Sequence, residues 1–101
     1  MSPDQNAQVY LNGYIDVPED RYVAVMAALP THISLTREEA GCLKFEVVDD
    51  PAHPGRLQVS EIFKDDAAFE HHQTRTQASD WYRISEGIPR EFSISKGKPQ
   101  P

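Results

Sequence analysis

Residues Cys42–Phe63 read CLKFEVVDDPAHPGRLQVSEIF, and their alternation decides how the rest of the chain must fold. Leu43, Phe45 and Val47 alternate with Cys42, Lys44 and Glu46; further on, Leu57, Val59, Glu61 and Phe63 alternate with Gln58, Ser60 and Ile62. A period of two belongs to a strand whose faces meet different surroundings. Between the two runs, Asp49–Gly55 is rich in Pro, Gly and Asp, so the strands form a hairpin. Its connection is longer than a tight turn, which leaves the register open.

Working outward toward the N-terminus, Val9–Val17 sets Val9, Leu11, Gly13, Ile15 and Val17 against Tyr10, Asn12, Tyr14 and Asp16, a first strand with one greasier face. Pro18 suits the first helical position, and Glu19 and Asp20 put negative charge at the positive end of the helix dipole. Tyr22, Met26, Leu29, Ile33 and Thr36 then recur at four, three, four and three, with Val25 beside them, as one core-facing stripe. Pro30 predicts a kink near Leu29, or two shorter helices, before Ala40–Gly41 ends the segment.

Toward the C-terminus, Asp65–Asp66 opens a second helix through DDAAFEHHQTRT, with Ala68, Phe69, His72 and Thr76 on one face. Trp81, Ile84 and Ile88 mark a further amphipathic piece, stopped by Gly87 and Pro89, and Phe92 and Ile94 alternate in a last strand, REFSIS. The order strand, helix, strand, strand, helix, strand predicts an α+β, ferredoxin-like βαββαβ fold: an antiparallel sheet with the helices on one face. Residues 1–8 and 96–101 read as flexible segments around one domain over residues 9–95. The helix-free sheet face, with Tyr10, Asn12 and Tyr14, is half apolar, so it is expected to meet a second copy or help enclose a pocket.

Composition bounds the function. A chain of 101 residues supports one small core. Its net charge of −6 removes counterion release from a phosphate backbone as a driving force, so nucleic acid is a poor partner. No stretch reaches the length of apolar sequence a membrane span needs, and MSPDQNAQVY has no basic start followed by an apolar run. The expectation is a protein of the cytoplasm. Cys42 is the single cysteine, so no internal disulfide and no cysteine metal cluster can form. None of His32, His53, His71 and His72 has another His three or four residues away, so no metal site is expected.

Two residues stand out chemically. His72 shares a face with Phe69, and Glu61 is an acid on the otherwise apolar face of Leu57, Val59 and Phe63. A buried imidazole can move protons near neutrality, or it can be a core histidine bonded to a carbonyl or carboxylate. A buried Glu needs a partner or a proton. A Glu61–His72 pair satisfies both, in a structural role as well as a catalytic one. Asn12 and Tyr14 read as ligand contacts or rim positions, and Trp81 as core packing or a stacking surface for a ligand.

GYIDVPEDR, EAGCLKFEV, VSEIFKD and AAFEHHQTRTQASDW, with the ordered set Gly41–Cys42, Glu61-x-Phe63-x-Asp65, Ala68–Phe69 and His72, resemble the antibiotic biosynthesis monooxygenase family of small quinol-monooxygenase-like proteins. The resemblance covers about residues 9–95. It implies a homodimer forming an α+β barrel, with a cavity in each subunit between sheet and helices. It also implies cofactor-independent oxidation by O2 of a small aromatic substrate, quinol- or anthrone-like. His72, paired with Glu61, would then accept a proton, Asn12 and Tyr14 would orient substrate oxygens, and Phe63 and Trp81 would form apolar walls. Haem-degrading relatives carry a Trp about where His72 stands and a His where Trp81–Tyr82 lie, so the resemblance argues against haem. An isomerase branch acting on phosphorylated sugars would need a basic cluster, for which Arg75, Arg83 and Arg90 are donors. A dimer that binds an aromatic metabolite without catalysis remains a further alternative.

Overall fold

The computed structural model describes residues 7–97. Seven elements follow one another: β1 (Gln8–Asp16), α1 (Glu19–Arg37), β2 (Cys42–Asp49), β3 (Arg56–Phe63), α2 (Asp66–Gln77), α3 (Asp80–Ile84) and β4 (Arg90–Gly97). The strands form one sheet in the order β2-β3-β1-β4, with every pairing antiparallel. This is the predicted ferredoxin-like order, with α3 as an added turn of helix. Gln8 pairs with Gly97 and Val9 with Lys96, so Gln8, Lys96 and Gly97 belong to the sheet rather than to flexible ends. Residues 1–6 and 98–101 of those segments lie outside the described residues.

The register sorts the faces. Val9, Leu11, Gly13 and Ile15 stand opposite Phe63, Glu61, Val59 and Leu57, and the apolar members of this set lie buried under the helices. Tyr10, Asn12 and Tyr14, opposite Ile62, Ser60 and Gln58, face the other way. On β2 the expected alternation fails at its start. A β-bulge between Cys42 and Lys44 gives the strand one extra residue, so Cys42 packs with Val9, Leu11 and Phe63 while Leu43 turns outward at 52% exposure. Beyond the bulge, Phe45 and Val47 face the helices as expected, because the period resumes in shifted phase.

Helix α1 is a single helix with Pro30 inside it, and two shorter helices do not form. Pro30 is exposed while Val25, Leu29, His32 and Thr36 on either side of it are buried. The broken hydrogen bond therefore faces water, and the packed face holds the turns together. Tyr22, Met26 and Ile33, placed by spacing at the centre of the stripe, flank the core instead. Helix α2 begins where Asp65 accepts a hydrogen bond from the Ala68 amide at 2.8 Å, a side-chain cap that satisfies one of the free first-turn N–H groups.

At Gly13, β1 and β4 approach too closely for a side chain. A Cβ there would press on the Glu91 carbonyl oxygen and stand 2.7 Å from Phe92 Cα. Gly13→Ala is expected to lower stability by about 1–3 kcal/mol through overpacking against backbone. Urea denaturation reads this as a reduced midpoint, and an unchanged midpoint would show that β4 yields freely.

Candidate functional site

Between the sheet and the helices, β3 presents Glu61 and Phe63, α2 presents His72, Arg75 and Thr76, and α1 contributes His32 and Thr36. Glu39, in the turn after α1, completes the group. His72 is 4% exposed, Glu61 6% and Glu39 9%, so these polar groups must find their partners in one another. His72 Nδ1 lies 3.1 and 3.2 Å from the two Glu39 carboxylate oxygens. Arg75 donates from Nε to the same carboxylate and from a terminal nitrogen to Thr36 Oγ1 at 2.9 Å. The Glu39 carboxylate thus faces a guanidinium and accepts a hydrogen bond from Nδ1 of His72. The lone pair of His72 is left at Nε2, where Thr76 Oγ1 stands at 3.5 Å and Glu61 Oε1 at 3.7 Å.

Glu61 and His72 are therefore neighbours, but the separation exceeds a hydrogen bond. The expected mutual satisfaction goes instead to Glu39, which holds His72, while Glu61 Oε1 is buried without a partner. Burial, and next the Glu39 charge, push the Glu61 carboxyl up to about 7. Burial lowers the pKa of His72 against the opposing pull of Glu39. Near neutrality the imidazole is neutral, with its one ring proton at Nδ1, beside a carboxyl poised between its two states.

The walls are aromatic. Phe63 lies 4.8 Å and Phe45 6.0 Å from the His72 ring, centroid to centroid. Trp81 stacks on His32 at 4.9 Å and 8°, and His32 stands 6.2 Å from His72. Burial, aided by the charges of His72 and Arg75, holds His32 down to about 3, so its ring is neutral at all ordinary pH. Among the described residues, no group of three His, Cys, Asp or Glu side chains stands ready to hold a metal ion.

Of the residues singled out from sequence, the structure brings His72, Glu61 and Phe63 together and places Trp81 one ring away, against His32. Asn12 and Tyr14 are not among them. Strand alternation puts them on the opposite face of the sheet, where Asn12 accepts from Ser60 at 3.1 Å and the Tyr14 hydroxyl donates to Glu91 at 2.9 Å. Arg56 lies over the Tyr14 ring and pairs with Asp16. Within the chain the sheet separates these residues from His72. His32 and Glu39 were missed, although Val25, Leu29, His32, Thr36 and Glu39 repeat the four-three rhythm just beside the stripe that was read. Following that rhythm to its end would have found both. Arg75, Arg83 and Arg90 do not converge: the first binds Glu39 and Thr36, the second Asp80, the third the carbonyls of Ser85 and Ile88.

The comparison with known proteins agrees with the geometry. A candidate antibiotic biosynthesis monooxygenase from Nitrosomonas europaea is similar in structure with a TM-score of 0.77 and 19% identity, over 96% of this chain and 95% of that one. A conserved protein of Methanosarcina mazei gives 0.73 at 20% identity, over 94% and 97%. A protein of Shewanella oneidensis gives 0.67 at 26% identity, over 92% and 95%. No curated protein matches significantly. The sequence pattern described as antibiotic biosynthesis monooxygenase matches residues 8–83, most of the chain and every strand and helix that carries the buried cluster, and the chain belongs to that family.

Proposed function

We propose that the protein is a cofactor-independent monooxygenase that oxidises a quinol- or anthrone-like aromatic substrate with O2. The carrying observation is His72: a neutral imidazole held at Nδ1 by Glu39, its Nε2 met only by a long contact from the Thr76 hydroxyl at 3.5 Å, facing Glu61 between Phe45 and Phe63. In this reading His72 Nε2 takes the proton from the activated C–H or phenol, and Glu61 helps pass it on. Apolar walls keep the resulting anion electron-rich. An anthrone anion then gives one electron to O2, and the radical pair closes a C–O bond as a peroxide. Loss of the remaining C–H proton breaks the O–O bond. The methylene becomes a carbonyl, one oxygen atom stays in the product, and the other leaves as water. Asn12 and Tyr14 fall outside this reaction centre, on the sheet face expected to meet a second copy in a homodimer.

The alternative of phosphorylated-sugar isomerisation is weakened by the three arginines, each committed to a carboxylate or carbonyl partner. The test is O2 uptake by purified, metal-stripped protein with anthrones and hydroquinones, corrected for autoxidation, for the wild type and His72→Ala. Saturable uptake that falls at least about 100-fold in the variant is the expected result for a lost general base. Uptake no faster than autoxidation, or unchanged in a folded variant, rejects the assignment.

A further inference from the structure

We infer that Arg75 is a positioning residue of the site: forked between Glu39 and Thr36, it sets the orientation of the Glu39 carboxylate and so fixes which ring nitrogen of His72 carries the proton. The inference deepens the oxygenase reading and rests on it only for the effect on turnover. Four side chains make the arrangement, two from each side. Thr36, in the last turn of α1, and Glu39 just beyond that helix face His72 and Arg75, which share one face of α2. Arg75 donates from Nε to Glu39 Oε2 and from a terminal nitrogen to Thr36 Oγ1 at 2.9 Å. The same Oε2 lies 3.1 Å from His72 Nδ1. One carboxylate oxygen is thus shared between a guanidinium and an imidazole.

A neutral imidazole has one N–H and one lone pair, and the proton sits on the nitrogen that meets an acceptor. With the Glu39 oxygens at Nδ1, a proton on Nε2 instead would turn a ring lone pair against a carboxylate. Nothing competes at the other nitrogen. Glu61 Oε1, at 3.7 Å, is beyond hydrogen-bond range of Nε2, and Thr76 Oγ1, at 3.5 Å, belongs to a hydroxyl that can donate as well as accept. The tautomer therefore depends on where the Glu39 carboxylate points. Glu39 lies past the C-terminal cap of α1, so the helix does not fix its side chain. Among the described residues, its carboxylate is held only by His72 and Arg75. The planar fork of Arg75 is anchored at the same time on Thr36, which is wholly buried, so the guanidinium cannot swing away without stranding a second partner. The proton is thereby kept off Nε2, the nitrogen that faces Glu61 and takes the substrate proton in the oxygenase reading. One helix face supplies both the base and, through Glu39, the group that orients it.

The tautomer can be read directly. In the full chain labelled with nitrogen-15 and carbon-13, couplings between the carbon-bound ring protons and the two ring nitrogens show which nitrogen is protonated, with His72 assigned through its backbone. At about pH 8, where a free imidazole is neutral, the wild type is expected to hold the proton at Nδ1 alone. A proton at Nε2 overturns the inference with no variant made. In Arg75→Met, which keeps an apolar stem without the fork, the proton should be shared between the two nitrogens. An unchanged Nδ1–H tautomer in that variant overturns the inference, since Arg75 would then only pack. Should Arg75→Met not fold, Arg75→Ala carries the same comparison with the same two outcomes, because Ala favours the helix more and the side chain removed is partly exposed. Turnover reads the consequence: with an oxidised hydroquinone, kcat should fall by at least about tenfold at little change in KM, part of the 100-fold or more that a general base supplies. The two readings fail separately. Oxygen uptake by the wild type with an unmoved tautomer in the variant removes the role of Arg75 and leaves the oxygenase. A redistributed proton in a protein that oxidises no substrate keeps the role of Arg75 and removes the oxygenase.

Discussion

Glu39→Ala is expected to lower the stability of the folded protein by about 3 kcal/mol, the low end of the range for breaking a buried ion pair. Glu39 is the only acceptor that the His72 Nδ1 proton has in the cluster, and it is also the anion facing Arg75. Its side chain is 4% exposed, so removing it leaves an imidazole N–H buried and a guanidinium unneutralised. The low end applies because Arg75 retains 23% exposure and can partly turn to water. The comparison with Glu39→Gln separates shape from charge: the amide can still accept from His72, but it leaves Arg75 without an anion. Urea unfolding of both variants reads the difference. A loss below about 1 kcal/mol in Glu39→Ala, as for a surface pair, would show that the cluster is wetter than its burial indicates.

Relative to Glu61→Gln, the wild type should lose stability as pH rises from about 4.5 to about 7. The sign follows from the two states of one carboxyl. Glu61 titrates near 4.5 when unfolded and at about 7 in the fold, raised by burial and by Glu39. Between these values the native state keeps a proton that the unfolded chain has released, so each increment of pH favours unfolding. The contribution is fully present below 4.5 and lost once the pH passes through about 7, where the carboxyl must ionise in an apolar site. Converted at 1.36 kcal/mol per unit, the loss is about 3 kcal/mol. Asp16 and Asp50 work in the opposite sense at lower pH, because hydrogen bonds from Arg56 and Gln58 depress them. His32 and His72 work in the opposite sense within the window, because burial lowers both and the unfolded chain holds protons there that the fold does not. The Glu61 contribution is therefore read as a difference: Glu61→Gln, neutral at that position at every pH, should gain on the wild type as pH rises through about 7 and be the more stable of the two at pH 8. A difference that stays constant from pH 4.5 to 8 would falsify the assignment of a buried, protonated Glu61.

Several elements could be read from neighbouring residues alone. The alternation from Leu57 to Phe63 and from Val9 to Val17 is local, and it put Glu61 on the buried face correctly. The Asp65 start of α2 is likewise a local signal, a cap and an acidic first turn. Failures came where a long-range contact overrides local phase. Leu43 alternates with Phe45 in sequence, yet the bulge at Cys42–Lys44 turns it outward. The bulge lets Cys42 fill the space over Phe63 and leaves Phe45 beside Glu61, a choice made by the β2–β3 pairing. Pro30 carries a breaker signal, but packing on both sides of it keeps α1 whole.

The candidate site shows the same division. Composition and spacing single out His72 and Glu61 because each is a polar residue on an apolar face, and side-chain period alone establishes that. Partner choice is another matter. His72 is bound by Glu39, thirty-three positions away in the chain, because the turn after α1 carries that carboxylate over α2, where Arg75 also meets it. Glu61 is left unpaired since the pleat of β3 stops its oxygen 3.7 Å short of the imidazole. The sequence by itself determined the order of elements and which face of each is buried, because these follow from periods of two and 3.6 within a single segment. Only the tertiary structure decided which buried polar groups meet, because hydrogen bonding depends on tenths of an ångström set by helix placement, bulge and register together.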